Sequence, residues 1–183
     1  MPVYVSMLRG INVGPHKRMK MEQLRHSFEA LGFEQVATYI QSGNVVFFKA
    51  GKSAPSALSK KIEAQLLGDF GFEAPIVSRT AGEISAVVKN NPFIKERGID
   101  PEKLHVMFLS DTPPPAALQK FAELIVPPEQ SRCVGREVFL YLPNGVANSK
   151  LMKVPLDRVL PVVNTLRNWR TVNQLAQMCE ECG

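Results

Sequence analysis

The spacing of apolar and polar positions in residues 1–80 predicts the element order of a split βαβ unit. The continuous apolar run Val3–Leu8 predicts a buried strand. Apolar residues then recur three and four positions apart, as on a helix that buries one face and ends at Gly32. These helical positions are Met21, Leu24, Phe28 and Leu31. Two β-rich runs, Val36–Ile40 and Val45–Phe48, lie on either side of a polar turn and predict a hairpin.

A second helix and a closing strand complete this first half. Ser53 and Pro55 are residue types that begin helices, and apolar residues follow them at helical spacing. These residues are Leu58, Ile62 and Leu66. The run Glu73–Ser78 predicts the last strand. The resulting order, β-α-β-β-α-β, is typical of a ferredoxin-like unit.

Residues 81–183 predict a second half with much the same order. Thr80 and Glu83 have the spacing of a capping box at the start of a connecting helix. Leu104–Leu109 predicts a strand, which a helix, a hairpin and a short helix follow. Thr171 and Gln174 form another capping-box pattern, which predicts the start of a C-terminal helix.

The predicted fold class is therefore α+β, with two ferredoxin-like (βαββαβ-type) halves that each contain an antiparallel sheet. A chain of 183 residues is long enough for two such halves. We place the N-terminal half at residues 1–80. The C-terminal half, with its connecting and C-terminal helices, takes residues 81–183.

Charge and composition narrow the range of partners. The net charge is +5, and residues 1–80 contain 10 Lys and Arg against 6 Asp and Glu. This excess is compatible with an anionic small molecule or a nucleic acid, but it is too small to indicate nucleic acid by itself. The apolar run after Met1 is too short to span a membrane and lacks the features of a signal peptide. Three cysteines do not form a disulfide framework, so we expect a cytoplasmic protein that binds no membrane.

Several motifs resemble those of DUF1697, a bacterial family of unknown function. They are Leu8–Gly14, Leu31–Phe33, Thr38–Phe47, Asn91–Phe93, Ser149–Leu151 and Arg167–Trp169 with Thr171. The resemblance extends over nearly the whole chain and implies no particular reaction, cofactor or catalytic residue. One departure is visible, because Ala147 and Asn148 stand where similar members usually carry Gly-Arg before the Ser-Lys-Leu motif.

Polar side chains at the ends of two predicted strands form the first candidate site. Arg9 and Asn12 follow the first strand, and Gln41, Ser42 and Asn44 occupy the hairpin turn. Strands one and three are adjacent and antiparallel in a split βαβ order, so these residues should lie close together. Such donors and acceptors suit a small ligand or a base edge. The alternative is structural, since the same glycines and amides form tight turns.

Three residues of the second half are further candidates. One interpretation is that Trp169 stacks on a nucleobase while Arg167 holds a phosphate. The alternative is that Trp169 anchors a core and Arg167 is a solvated residue at a helix start. Lys150 is a third cation. It is adjacent to Ser149, and neighbouring side chains on a helix do not face each other, so serine–lysine catalysis is not predicted.

The sequence therefore favours a binder of an anionic ligand, either a nucleotide-like small molecule or a nucleic acid, in a cleft between the halves. An enzyme acting on a phosphorylated or amide-bearing substrate and a protein–protein interaction module are the alternatives. No pair of acid and base residues and no metal-binding motif can be identified, so we expect no metal and no cofactor. Cys179 and Cys182 have redox spacing, but we expect reduced thiols on a frayed terminus.

Overall fold

The computed structural model describes residues 2–183 and contains eight strands and six α-helices in that range. The first half of the chain contains β1 (Val3–Leu8), α1 (Met21–Ala30), β2 (Glu34–Tyr39), β3 (Asn44–Phe48), α2 (Pro55–Phe70) and β4 (Ile76–Thr80). The remainder contains α3 (Ala81–Lys89), β5 (Leu104–Leu109), α4 (Pro115–Ala122), β6 (Gln130–Val134), β7 (Glu137–Tyr141), α5 (Leu156–Val159), β8 (Asn164–Asn168) and α6 (Trp169–Cys182). The order predicted for residues 1–80 is thus confirmed. In the second half the structure adds β8, a strand that the sequence pattern did not place.

Two four-stranded antiparallel sheets have the same topology. The first has the strand order β2-β3-β1-β4, and the second has the order β6-β7-β5-β8. In each sheet the first and third strands of the half are central, as a ferredoxin-like unit requires. The predicted fold class, α+β with two ferredoxin-like halves, is confirmed.

Each sheet buries one face against its own helices. In the first sheet, alternate residues of β1, including Tyr4 and Leu8, pack with Phe28 of α1 and Ile62 of α2. In the second sheet, Met107 and Leu109 and their neighbours pack with Phe121 of α4 in a separate cluster. The alternation along each strand follows from the two-residue repeat of side-chain direction.

One predicted helix cap is confirmed and two are wrong. Thr80 and Glu83 form the expected box: Thr80 N donates to Glu83 Oε2 at 2.7 Å, and Glu83 N donates to Thr80 Oγ1 at 3.1 Å. Ser53 does not cap α2, because Ala54 precedes its first residue and Ser53 N instead donates to the Tyr4 hydroxyl at 2.9 Å.

The start of the C-terminal helix also differs from the prediction. The helix α6 begins at Trp169, so Thr171 lies within its first turn. Asn168 provides the cap, because its Oδ1 accepts from Thr171 N at 2.8 Å. Asn and Thr are both good capping residues, so the residue types alone did not show whether Asn168 or Thr171 caps the helix.

The chain divides into two compact units. The N-terminal unit comprises the residues up to Ala86 together with Gln174–Gly183, and the C-terminal unit is Val87–Asn173. This division differs from the boundary that the sequence predicts between residues 80 and 81. That boundary stays a prediction about where the two folding domains meet along the chain. Within residues 2–183, no helix is both long and apolar enough to cross a membrane.

Candidate functional site

The loop after β1 and the turn before β3 lie together at one edge of the first sheet. Met7 pairs with Asn44 in the antiparallel ladder, and Leu8 N donates to the Gly43 carbonyl at 2.8 Å. Beyond Leu8 the chain enters the loop, and ahead of Asn44 it forms the turn. We call residues 9–20 and 40–44 the rim. The structure therefore brings Arg9 and Asn12 into the same neighbourhood as Gln41, Ser42 and Asn44, as the split βαβ order predicted.

Asn12 ties the two parts of the rim to each other. Its Nδ2 donates to the Gln41 carbonyl and to the Met19 carbonyl, each at 2.9 Å. Its Oδ1 accepts from Met19 N at 2.8 Å, and its backbone N–H donates to the Lys17 carbonyl at 3.0 Å. Both donors and the acceptor of the carboxamide are therefore used to hold the loop closed and to hold it against the turn. This is a positioning role.

The turn residues differ in what they offer to a ligand. Asn44 is fully buried, and its Nδ2 donates to the Tyr39 carbonyl and to Ser42 Oγ, each at 3.0 Å. Its side chain therefore shapes the turn. Gln41 is exposed and Ser42 is half-buried. The surface of the turn is thus provided by Gln41 and Ser42.

Left-handed backbone is concentrated in the rim. The loop has positive φ at Gly10, Asn12, Gly14 and Lys17, and the turn has positive φ at Ile40 and Gly43. Ile40, with φ of 50°, is notable because a β-branched residue is strained there. Its side chain is also 49% exposed, so burial contributes little free energy to offset that strain. Strained residues of this kind are often found at functional sites.

The rim has a one-sided charge. Between Pro2 and Met21 the chain contains four cations and no carboxylate; the cations are Arg9, Lys17, Arg18 and Lys20. The last three are exposed and Arg9 is half-buried. Lys17 Nζ donates to the Glu73 carbonyl at 2.9 Å, and Arg9 N donates to the Pro75 carbonyl at 2.9 Å. The loop is therefore a fixed, electropositive surface.

The candidates of the second half lie in the C-terminal unit. Arg167 is on β8, not at a helix start, and is 7% exposed, so the prediction of a solvated residue is wrong. Its Nη1 donates to Thr165 Oγ1 at 2.7 Å and to the Leu166 carbonyl at 2.9 Å. Burial lowers the pKa of Arg167 to about 10. Trp169 begins α6 and is 7% exposed, whereas Lys150 is exposed in a short 3₁₀ helix.

A family model described as a protein of unknown function (DUF1697) matches residues 1–139. The chain belongs to the DUF1697 family. No curated protein matches it. The solved structure of a conserved bacterial protein from Streptococcus pneumoniae is similar over 97% of this chain and 98% of that chain, with a TM-score of 0.77 and 24% sequence identity. At that identity the likeness shows the fold alone.

The DUF1697 match covers the rim but ends before two motifs that the sequence comparison included. Ser149–Leu151 and Arg167–Trp169 lie beyond residue 139. Ser149 has a structural explanation, since it is fully buried and its Oγ donates to Glu129 Oε2 at 3.1 Å. Ser149 Oγ also accepts from Leu151 N at 3.3 Å. The hydroxyl therefore shapes its own turn and is buried.

The sequence reasoning missed Arg79, the counterpart of Arg167 in the N-terminal unit. Arg79 is 1% exposed on β4, opposite Val5, and Arg167 lies opposite Val106 on β8. Val5 and Val106 are each the third residue of their strand. Nη1 of each arginine donates to the preceding carbonyl at 2.9 Å. A repeated pattern of strand, arginine, capping residue and helix was the available signal.

The structure gives little support for a metal site or for redox chemistry at the cysteines. Among residues 2–183, no group of three or more His, Cys, Asp or Glu side chains is placed to hold a metal ion. The terminus that was expected to fray is helical, and Cys179 within it is 5% exposed. Cys182 Sγ lies 3.2 Å from Gln35 Oε1. Burial lowers the pKa of His105 and raises that of Cys179 to about 12.

These cysteine environments predict a large spread in alkylation rates. At pH 8 a thiol with a pKa of about 12 is thiolate in only about one molecule in ten thousand. Burial and the charge of Glu137 also raise the pKa of Cys133, but Cys133 is exposed, so Cys179 should still react at least about tenfold more slowly than Cys133. Peptide mass spectrometry after timed iodoacetamide treatment measures this ratio. The rates should converge in guanidinium chloride. Equal rates in the folded protein would show that the end of α6 opens readily.

Proposed function

We propose that this DUF1697 protein binds an anionic ligand at the rim, either a nucleotide-like small molecule or a segment of nucleic acid. The observation that carries the proposal is the fixed electropositive loop. Four cations with no carboxylate among them occupy residues 9–20. The Asn12 side chain closes that loop through two hydrogen bonds with Met19 and holds it against the turn through one to the Gln41 carbonyl. A surface that is already ordered loses little entropy when a ligand binds.

The proposed roles differ among the rim residues. Arg9 would bind phosphate with its planar guanidinium, which can donate two parallel hydrogen bonds to phosphate oxygens. Gln41 and Ser42 would contact a polar edge of the ligand, because they form the accessible part of the turn. Asn12 and Asn44 would position these groups. Their carboxamides are engaged within the rim.

The residues of the C-terminal unit have a smaller part in the proposal. Lys150 is exposed and stays a candidate for contacting an anion in its own unit. Arg167 and Trp169 are both buried, so we propose that they support the local structure of their own unit. The predicted cleft between the halves stays a prediction.

Replacing Arg9 with alanine should weaken binding of an anionic probe by about tenfold or more, because a charge-assisted hydrogen bond is lost. The probes are ATP, inorganic pyrophosphate and a single-stranded oligothymidylate, measured by calorimetry at two salt concentrations. Affinity should fall as salt increases. The melting temperature of the variant is measured alongside, so that a loss of affinity from the missing charge is separated from a loss caused by unfolding of the loop.

Arg97→Ala is the matched control, because it removes the same charge from an exposed loop of the other unit. Its affinity should equal that of the wild type. If Arg9→Ala and Arg97→Ala bind the probes equally well, or if no probe binds, the rim is not an anion site.

A protein-binding surface is the second candidate function, and one observation favours it. Val13 is 76% exposed and Ile40 is 49% exposed, and they directly flank the hydrogen bond between Asn12 and Gln41. Exposed aliphatic side chains beside a charged loop are typical of an interaction surface. A mass that rises with protein concentration in sedimentation experiments, and that returns to the monomer value in Val13→Ser, would support this candidate.

A further inference from the structure

A surface cavity of about 360 Å³, open to solvent, lies between α1 and α2 and shares no lining residue with the rim. Its polar lining comes from Gln23, His26 and Ser27 on α1 and from Gln65 and Asp69 on α2. Ala30 and Phe70 provide the apolar wall. All these residues belong to the N-terminal unit. The volume is at the small end of the range for ligand-binding pockets.

Asp69 is exposed to solvent, and hydrogen bonds from Ser27 and Gln65 orient its carboxylate at this cavity. The hydroxyl of Ser27, a residue that is 5% exposed, donates to Asp69 Oδ2 at 2.6 Å. Gln65 Nε2 lies 3.1 Å from Oδ1 and 3.0 Å from Oδ2. The hydrogen bond from Ser27, followed by that from Gln65, lowers the pKa of Asp69 below its usual value. The group is therefore ionised at neutral pH and needs no rearrangement to meet a cation.

We propose that this cavity binds a small primary amine. Among the described residues that line the cavity, Asp69 is the only Asp, Glu, Lys or Arg, so a cationic ligand matches its charge. A carboxylate has about four acceptor positions, and Ser27 and Gln65 occupy three of them. The remaining position suits one N–H of an ammonium group. A guanidinium is a poorer match, because it prefers two parallel acceptors.

The rest of the lining fits an alkyl chain with a second polar group. The ring of Phe70 and the methyl group of Ala30 can pack against methylene groups, and an aromatic face also attracts a neighbouring ammonium. Gln23 and His26 can form hydrogen bonds with a polar group at the far end of the chain. The proposed ligand is opposite in charge to that of the rim. The two proposals therefore stand or fall separately.

The test uses 1,4-diaminobutane as the probe and butane-1,4-diol as its neutral analogue, with amide chemical shifts of the full chain as the readout. Saturable shifts in α1 and α2 are expected with the diamine and not with the diol. Asp69→Asn should weaken the diamine affinity by about tenfold or more, since a charged hydrogen bond is lost. Glu29→Gln removes a charge from the exposed surface of α1 and should leave the affinity unchanged.

A second variant keeps the test decisive if Asp69→Asn folds poorly. Ala30 is exposed at the end of α1, and Ala30→Trp should fill the cavity without removing any of the hydrogen bonds to Asp69. It should abolish the saturable shifts. The proposal is overturned if the diamine gives no saturable shift at millimolar concentration, if the diol binds equally well, or if both Asp69→Asn and Ala30→Trp retain the wild-type affinity.

Discussion

Replacing Gly43 with alanine should lower the free energy of unfolding by about 3 kcal/mol or more, the largest effect that we expect from a single methyl group in this protein. Gly43 has φ of 79°, where an L-residue with a Cβ costs about 1–2 kcal/mol. An added Cβ would also lie 2.7 Å from Ile11 Cδ1 and 2.9 Å from Leu8 Cβ. Both neighbours are almost fully buried, so they have little room to move. Urea unfolding followed by circular dichroism measures the loss.

Gly51→Ala separates the two causes of this loss. Gly51 has φ of 74°, and a Cβ built there meets no atom within 4 Å. This variant should therefore lose only the backbone contribution, about 1–2 kcal/mol. Equal losses in Gly43→Ala and Gly51→Ala would mean that Leu8 and Ile11 yield without cost. The close packing of the rim against β1 would then be unimportant for stability.

The order of helices and strands could be predicted because each element has its own periodicity. The spacing of Leu24 and Phe28 sets the buried face of α1, and the apolar run of β1 is fully buried in the sheet. Element starts were less predictable. Thr80 and Glu83 formed their box, whereas Asn168 capped α6 in place of Thr171. Two capping residues three positions apart compete, and the tertiary position of β8 decides between them.

The proximity of loop and turn in the candidate site could also be predicted, since it follows from antiparallel pairing of β1 with β3. The burial of Arg79 and Arg167 could not be predicted from the sequence. Single-residue rules place arginine at the surface, and only the packing of β4 and β8 shows otherwise. The left-handed backbone of Ile40 was equally hidden, because composition assigns that conformation to Gly or Asn. Charge and strain within the rim therefore became visible only in three dimensions.

The position of Asn12 was predicted correctly, but its role in the structure differs from the predicted ligand contact. Its position beside Gln41 was predicted, and its polar side chain suggested a ligand contact. In the structure that side chain joins the loop to the turn by donating to the Gln41 carbonyl, and it closes the loop by its bonds to the Met19 carbonyl and from Met19 N. A ligand contact would require the carboxamide to give up one of these bonds. Positioning is the simpler role.

Replacing Asn12 with alanine should therefore lower the free energy of unfolding by about 3 kcal/mol, from the loss of three hydrogen bonds and from an alanine at φ of 54°. Asn12→Gly loses the same hydrogen bonds without the steric penalty, and it should be about 1 kcal/mol more stable than Asn12→Ala. Chemical unfolding of both variants gives the difference. A loss within experimental error of zero in Asn12→Ala would contradict the tie between loop and turn.

The same pair of variants connects stability with function. If Asn12 positions the rim, both variants should weaken anion binding although neither removes a cation, and the less stable variant should bind more weakly. If Asn12 instead contacts the ligand directly, the two variants should lose the same affinity, because both lack the carboxamide. Calorimetric titration with the probe that Arg9→Ala binds more weakly distinguishes the two roles, and it does so without any assumption about the natural ligand.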